Sequence, residues 1–130
     1  MRIAADTNVI VRYLVWDDQA QAEAAARAIE AAEAVVLSTV VLCEVVWVLR
    51  RAYRYGAVDV AKVLRKLIES RTVEVDRPVA EAGLAMLVAG GDFADGVILA
   101  EAGRARCACL VTFDRGVIAM PGAVEIIHPE

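Results

Sequence analysis

The chain has 130 residues, 59% of them hydrophobic, and a net charge of −4. That length suits one ordinary domain, residues 1–130, with a core large enough to need no staples. The acidic balance argues against a simple basic nucleic-acid binder, and the surplus of apolar residues suggests surface shared with a second chain.

Arg2 is followed by only three apolar residues before Asp6, which fits no signal peptide. The longest apolar region, 34–49, is interrupted by Glu44 and falls short of the roughly 20 residues of a membrane span. A cytoplasmic protein without a membrane partner is expected. Cys43, Cys107 and Cys109 are odd in number and sit among apolar residues, which predicts reduced, buried thiols. Zinc needs about four ligands, and only His128 could join them.

In chain order, "RIAAD" at 2–6 is short, apolar and ends in a polar cluster, as a buried strand does. "NVIVRYLV" and the alanine-rich "QAEAAARAIEAAEA" predict helices, the second with Glu23 and Arg27 at the i,i+4 spacing of a solvated face. "AVVLST" predicts a second strand, with Ser38 or Thr39 placed to cap the helix that carries Glu44. That helix is expected to continue through "RRAYRY" to Gly56. In "VDVAKVLRKLIES" the residues Val60, Val63, Leu64, Leu67 and Ile68 form one apolar helical face, with Asp59 placed to cap. "TVEV" predicts a third strand, and "PVAEAGLAMLV" a helix opened by Pro78. "GGD" predicts a turn into a helix from Phe93 to about Arg104, and "CACLVTF" and "AVEII" the last two strands.

Within "VVLCEVVWVL", 40–49, the helical neighbours of Glu44 are Val40, Val41, Trp47 and Val48. No rotation gives this carboxylate a polar face. Burying it ionised and alone costs roughly several kcal/mol, so it is expected to be neutral, paired or bound to a cation. Strands alternating with helices imply a parallel sheet covered on both faces, with sites at the carboxyl ends of its strands. Asp6 follows strand one and Asp114 follows "CLVTF", Glu44 lies about two turns into the helix after strand two, and "GGDFAD" opens the helix feeding strand four. If strands one and four are neighbours at the switch point, these carboxylates converge.

"DTN" at 6–8, the embedded Glu44, "DFAD" at 92–95 and "LVTFD" at 110–114 resemble the four acidic motifs of the PIN domain. The short chain resembles VapC-type toxins of type II toxin–antitoxin pairs. The resemblance covers essentially the whole chain. It implies an α/β fold, a three-layer α/β/α sandwich with a central, mainly parallel five-stranded sheet of strand order 3-2-1-4-5. The implied activity is Mg²⁺- or Mn²⁺-dependent endonucleolytic cleavage of RNA, leaving 5′-phosphate and 3′-hydroxyl ends. By position the resemblance assigns the metal and catalytic roles to Asp6, Glu44, Asp95 and Asp114, with Asp92 an additional metal-site acid. Thr7, Asn8 and Thr112 would orient them. Departures from the family pattern are Gly96 in place of an alanine, Glu101 where a small residue is common, and Gly116-Val117 in place of an acidic and aromatic pair. The resemblance also implies a homodimer and a cognate VapB-type antitoxin.

Phosphodiester hydrolysis needs a deprotonated nucleophile and an offset to charge on the phosphoryl oxygens, which hard, oxygen-ligated divalent cations supply. Crowded carboxylates repel one another and favour such a cation. Taking five site acids from the 18 acidic residues leaves 13 against 14 basic, so the remaining surface is close to neutral. Metal-free cleavage would call on histidine, and the only one is His128 near the C-terminus. The only serines, Ser38 and Ser70, support no Ser-His-Asp arrangement. "RRAYRY", 50–55, mixes arginines and tyrosines as RNA-binding grooves do, making Arg50, Arg51 and Arg54 candidates for phosphate contact beside Arg12, Arg104 and Arg115. The same basic residues also suit a solvated helix end.

Structural roles compete: Asp6 could cap a helix, Asp92 and Asp95 have N-cap and N3 spacing, and Asp114 could be a turn aspartate. A receiver-like or dehalogenase-like phosphoryl-transfer domain lacks its second aspartate, and Lys62 and Lys66 both sit in the amphipathic helix. The alternative from another class is a PIN-fold binding module that does not cleave.

Overall fold

A computed structural model describes residues 1–129, which fall into two compact units, 1–76 and 77 onward. In the first unit, β1 (Arg2–Ala4), β2 (Ala34–Val36) and β3 (Val73–Glu74) form a parallel sheet ordered β1-β2-β3, with Ile3 opposite Val35 and Val35 opposite Val73. Its helices are α1 (Thr7–Val15), α2 (Gln19–Ala31), α3 (Thr39–Arg51) and α4 (Ala57–Ile68). The β-branched strand residues and the helices that connect successive parallel strands follow the usual logic of parallel sheets. The core of this unit is built from Ile10, Val11, Val35, Leu37, Leu42, Val45, Leu49, Val60 and Leu64.

Side chains set where the helices start. Asp6 accepts from Val9 N at 3.1 Å, Asp18 from Gln21 N at 3.1 Å and Ser38 from Val41 N at 3.2 Å, each satisfying an otherwise orphaned donor. Two boundaries differ from expectation. α4 is capped by Gly56 without a side-chain bond, and Asp59 lies inside its first turn, where the helix dipole favours it. α3 ends at Arg51 rather than reaching Gly56. Tyr53 N and Tyr55 N donate to the carbonyls of Val48 and Leu49, and Arg54 turns the chain at φ 57°.

The second unit contains α5 (Arg77–Val88), α6 (Phe93–Arg104), β4 (Cys109–Val111) and β5 (Glu125–Ile127). β4 and β5 pair in parallel, with Leu110 opposite Ile126. Met86, Leu99 and Val117 form a small core against Leu110, Met120, Val124 and Ile126. α5 and α6 approach closely at glycines. A Cβ on Gly83 would come within 2.6 Å of the Phe93 ring, and one on Gly96 would strike the Ala82 carbonyl oxygen and come within 2.8 Å of Met86 Cβ. The expected helix from Phe93 to Arg104 is present with those bounds, capped by Asp92.

The described ladders are therefore 3-2-1 in one unit and 4-5 in the other, a mixed α/β architecture with parallel strands. The strands are less covered than a doubly buried sheet would require. Arg2 and Ala4 are exposed in β1, and Val111 and Ile127 in β4 and β5. The three cysteines form no disulfide, but the expectation of burial fails: Cys107 is exposed, and Cys43 and Cys109 are half-buried. Cys107 lies outside β4, in the turn that enters it, where no core faces it. No described helix is long and apolar enough to cross a membrane.

Candidate metal centre

Glu44 is not buried. It is exposed, and so are its apolar neighbours Val40 and Trp47, because α3 buries only Leu42, Val45, Val46 and Leu49. The helix carries more apolar residues than its core face uses, so an apolar sequence neighbourhood did not mean an apolar spatial one. Glu44 does have a partner: Thr7 Oγ1, at the start of α1, donates to its Oε1 at 3.3 Å. Among the described residues no charged side chain is buried.

Asp6, the residue before Thr7, is exposed and caps α1 through its bond from Val9 N. Asn8 is exposed beside it, and the two help line an open hollow of about 410 Å³ with Val9, Arg12 and Gln21. The capping role of Asp6 uses one carboxylate oxygen as an acceptor and leaves further lone pairs for a ligand.

In the second unit the acids lie around the start of α6 and the end of β4. Asp92 is the N-cap, accepting from Ala94 N at 3.4 Å, and Asp95 is the third residue of the helix, half-buried. Asp114 is held in a turn in which Gly116 N donates to its Oδ1 at 2.7 Å and its own N donates to Thr112 Oγ1 at 3.0 Å. His128 Nδ1 lies 3.1 Å from the Thr112 carbonyl oxygen, tying the end of β4 to the residue after β5. Asp95 is harder to ionise than an ordinary aspartate, first because of burial and then because Asp92 and Asp114 repel its negative charge. The bland roles of cap and turn are all real for Asp6, Asp92 and Asp114, yet none accounts for the crowding at Asp95.

The donor chemistry of this triad is that of a hard divalent cation. Among the described residues no group of three or more His, Cys, Asp or Glu side chains is arranged to hold an ion. Magnesium, however, commonly takes one or two protein carboxylates and completes its octahedron with water and substrate phosphate. Asp95, with Asp92 and Asp114 near enough to repel its charge, offers carboxylates of the kind such an ion takes.

The candidate arginines divide. Arg12 is engaged: its Nε donates to Gln21 Oε1 at 2.7 Å, and one terminal nitrogen donates to Asp17 Oδ1 at 2.9 Å and to Tyr53 OH at 3.2 Å. Tyr53 OH donates in turn to Asp17 Oδ2 at 2.8 Å. That bond lowers the Asp17 pKa, to which Arg12 adds, and raises that of Tyr53, where burial adds to it and Arg12 opposes it. The network fastens α1 to the end of α3, a structural role that Asp17 and Tyr53 gave no local sign of in the sequence. Arg50 and Arg51 are exposed in the last turn of α3, Arg54 just beyond it, Arg104 in the last turn of α6, and Arg115 directly after Asp114.

The chain matches the family model of the PIN domain over residues 3–122, through both units. No curated relative matches it. The chain belongs to the PIN domain family, whose members are typically metal-dependent nucleases and generally bind divalent metals.

Proposed function

We propose that this PIN-domain chain is a Mg²⁺- or Mn²⁺-dependent endoribonuclease and the VapC-type toxin of a type II toxin–antitoxin pair. The observation that carries the reading is Asp95, a helix-start carboxylate made hard to ionise by burial, Asp92 and Asp114, in a chain of this family. A cluster that resists its own charge stores an affinity for a cation. Motif resemblance adds Asp6 and Glu44 to the acids assigned to the metal.

Asp95, Asp92 and Asp114, with Asp6 and Glu44, would hold the ion, which when bound would supply an activated water and offset charge on the phosphoryl oxygens. The chain's own residues set the geometry. Gly116 N–H fixes Asp114 Oδ1, Thr7 Oγ1 fixes Glu44 Oε1, and the first-turn N–H groups of α6 favour the ionised form of Asp95 once a cation offsets its neighbours. RNA is the proposed substrate, the cytoplasm the proposed location, and a homodimer neutralised by a VapB-type antitoxin the proposed assembly. The strand order 3-2-1-4-5 and a single domain over 1–130 belong to the same proposal.

Incubation of purified protein with structured RNA, with and without Mg²⁺, tests the reading. Metal-dependent products that disappear in Asp95→Asn support it. Binding of RNA without cleavage at any metal concentration would favour the non-catalytic binding module instead.

A further inference from the structure

Val40, Glu44, Trp47 and Arg51 follow one another at i, i+4, i+7 and i+11 on α3, and all four are exposed. At 3.6 residues per turn they fall within about 60° of one another, a single stripe along the solvent face. Trp47 is 62% exposed and stands one turn beyond Glu44. An indole this exposed leaves much of its apolar ring surface in water. Arg51 lies about 10 Å along the helix from Glu44, and Arg50 and Arg54 are also exposed nearby.

We infer that Trp47 is a stacking platform for an unpaired base of the RNA strand, next to the phosphate handled at Glu44, with Arg50, Arg51 and Arg54 receiving the backbone that follows. This rests on the nuclease reading, which places Glu44 in the cleavage chemistry. A flat aromatic face followed by exposed guanidiniums matches a polyanion whose bases can be splayed out, and base stacking on aromatics is tolerant of sequence. A second copy of the chain could cover Trp47, but it would leave the positive charge at the helix end unanswered. Tyr55 and Tyr53 pair with each other at 6.2 Å and are half-buried, and the Tyr53 hydroxyl is held by Asp17, so Trp47 is the exposed aromatic of this region. The ligand class that follows is single-stranded or looped RNA rather than a closed duplex.

The test uses the full chain with Trp16→Phe, which leaves Trp47 as its one indole, and Asp95→Asn, which separates binding from cleavage. The probe is a single-stranded oligoadenylate of about ten nucleotides. Saturable quenching of Trp47 fluorescence is expected. Trp47→Ala should weaken binding of the labelled oligonucleotide about tenfold, and Trp47→Phe, which keeps an aromatic face, should recover most of it. In the chain with its acids intact, Trp47→Ala should raise KM by a similar factor and leave kcat within about twofold, the mark of lost uniform binding. Unchanged affinity in Trp47→Ala, with cleavage still dependent on metal and Asp95, would overturn the stacking role and leave the nuclease reading standing. Unchanged affinity together with a dimer that becomes monomer by light scattering would assign the stripe to a self-contact. If the chain cleaves no RNA, the nuclease reading fails, while quenching and the Trp47→Ala affinity still decide whether a base stacks there.

Discussion

Asp95 sits in the first turn of α6, where backbone N–H groups favour negative charge, and it is still harder to ionise than an ordinary aspartate. Burial and two neighbouring carboxylates outweigh the helix dipole. Because its pKa in the folded chain is raised, Asp95 favours folding most below the ordinary value of 3.8, and that contribution is lost as pH rises through the raised value. Asp95→Asn cannot ionise, so without metal its melting temperature at neutral pH should equal or exceed that of the wild type. The difference should fade as pH falls below the ordinary aspartate range. Thermal unfolding in chelator across pH checks this, and a variant that melts lower at neutral pH would contradict it. Asp92→Ala should instead cost about 1 kcal/mol through the lost cap, with a smaller loss of cleavage, as read by urea unfolding beside a cleavage assay. The N-cap and N3 positions of these two acids were legible in "GGDFAD", since that spacing precedes an apolar run. Glu44 was legible as anomalous, but its exposure was not, because the sequence does not say how much of an apolar helix the core will use.

Among the elements, α6 was readable to its bounds because a turn, a cap and an apolar run coincide within a few residues. The end of α3 was not. Just past its last residue Tyr53 meets Asp17 and Arg12, partners 36 and 41 residues away that no local pattern announces. Gly96 reads in sequence only as a departure from the family's usual alanine, and the packing of α6 on α5 gives the reason. A methyl there would strike a backbone carbonyl of α5, which cannot swing aside as a side chain would. Gly96→Ala gains helix propensity of up to about 1 kcal/mol. Overpacking against backbone should exceed that, for a net loss of about 1–3 kcal/mol in urea unfolding. A variant more stable than the wild type would mean that α5 and α6 have room to separate.

For the molecule as a whole, alternating strands and helices made parallel pairing legible, and both observed sheets are parallel. Sequence alone did not predict division into two compact units, because it depends on which non-local contacts are dense. Exposed apolar residues such as Val111 and Phe113 add to the apolar composition in favour of a covering partner. Light scattering at tens of micromolar, roughly, should show a dimer; monomer alone would contradict the proposed homodimer. An antitoxin that reaches the acids with an arginine or lysine should compete with Mg²⁺, and a complex indifferent to Asp95→Asn would exclude such mimicry.

With only one histidine, this chain is proposed to cut RNA through carboxylates and a divalent ion. The most direct measurement is the rate of RNA cleavage as Mg²⁺ is titrated, for the wild type and Asp95→Asn side by side. The rate should saturate with Mg²⁺, vanish in chelator, and fall by at least about 100-fold in Asp95→Asn at any Mg²⁺ concentration, given the usual cost of losing a catalytic electrostatic group. Cleavage that persists in chelator, or at the wild-type rate in Asp95→Asn at limiting Mg²⁺, would contradict it.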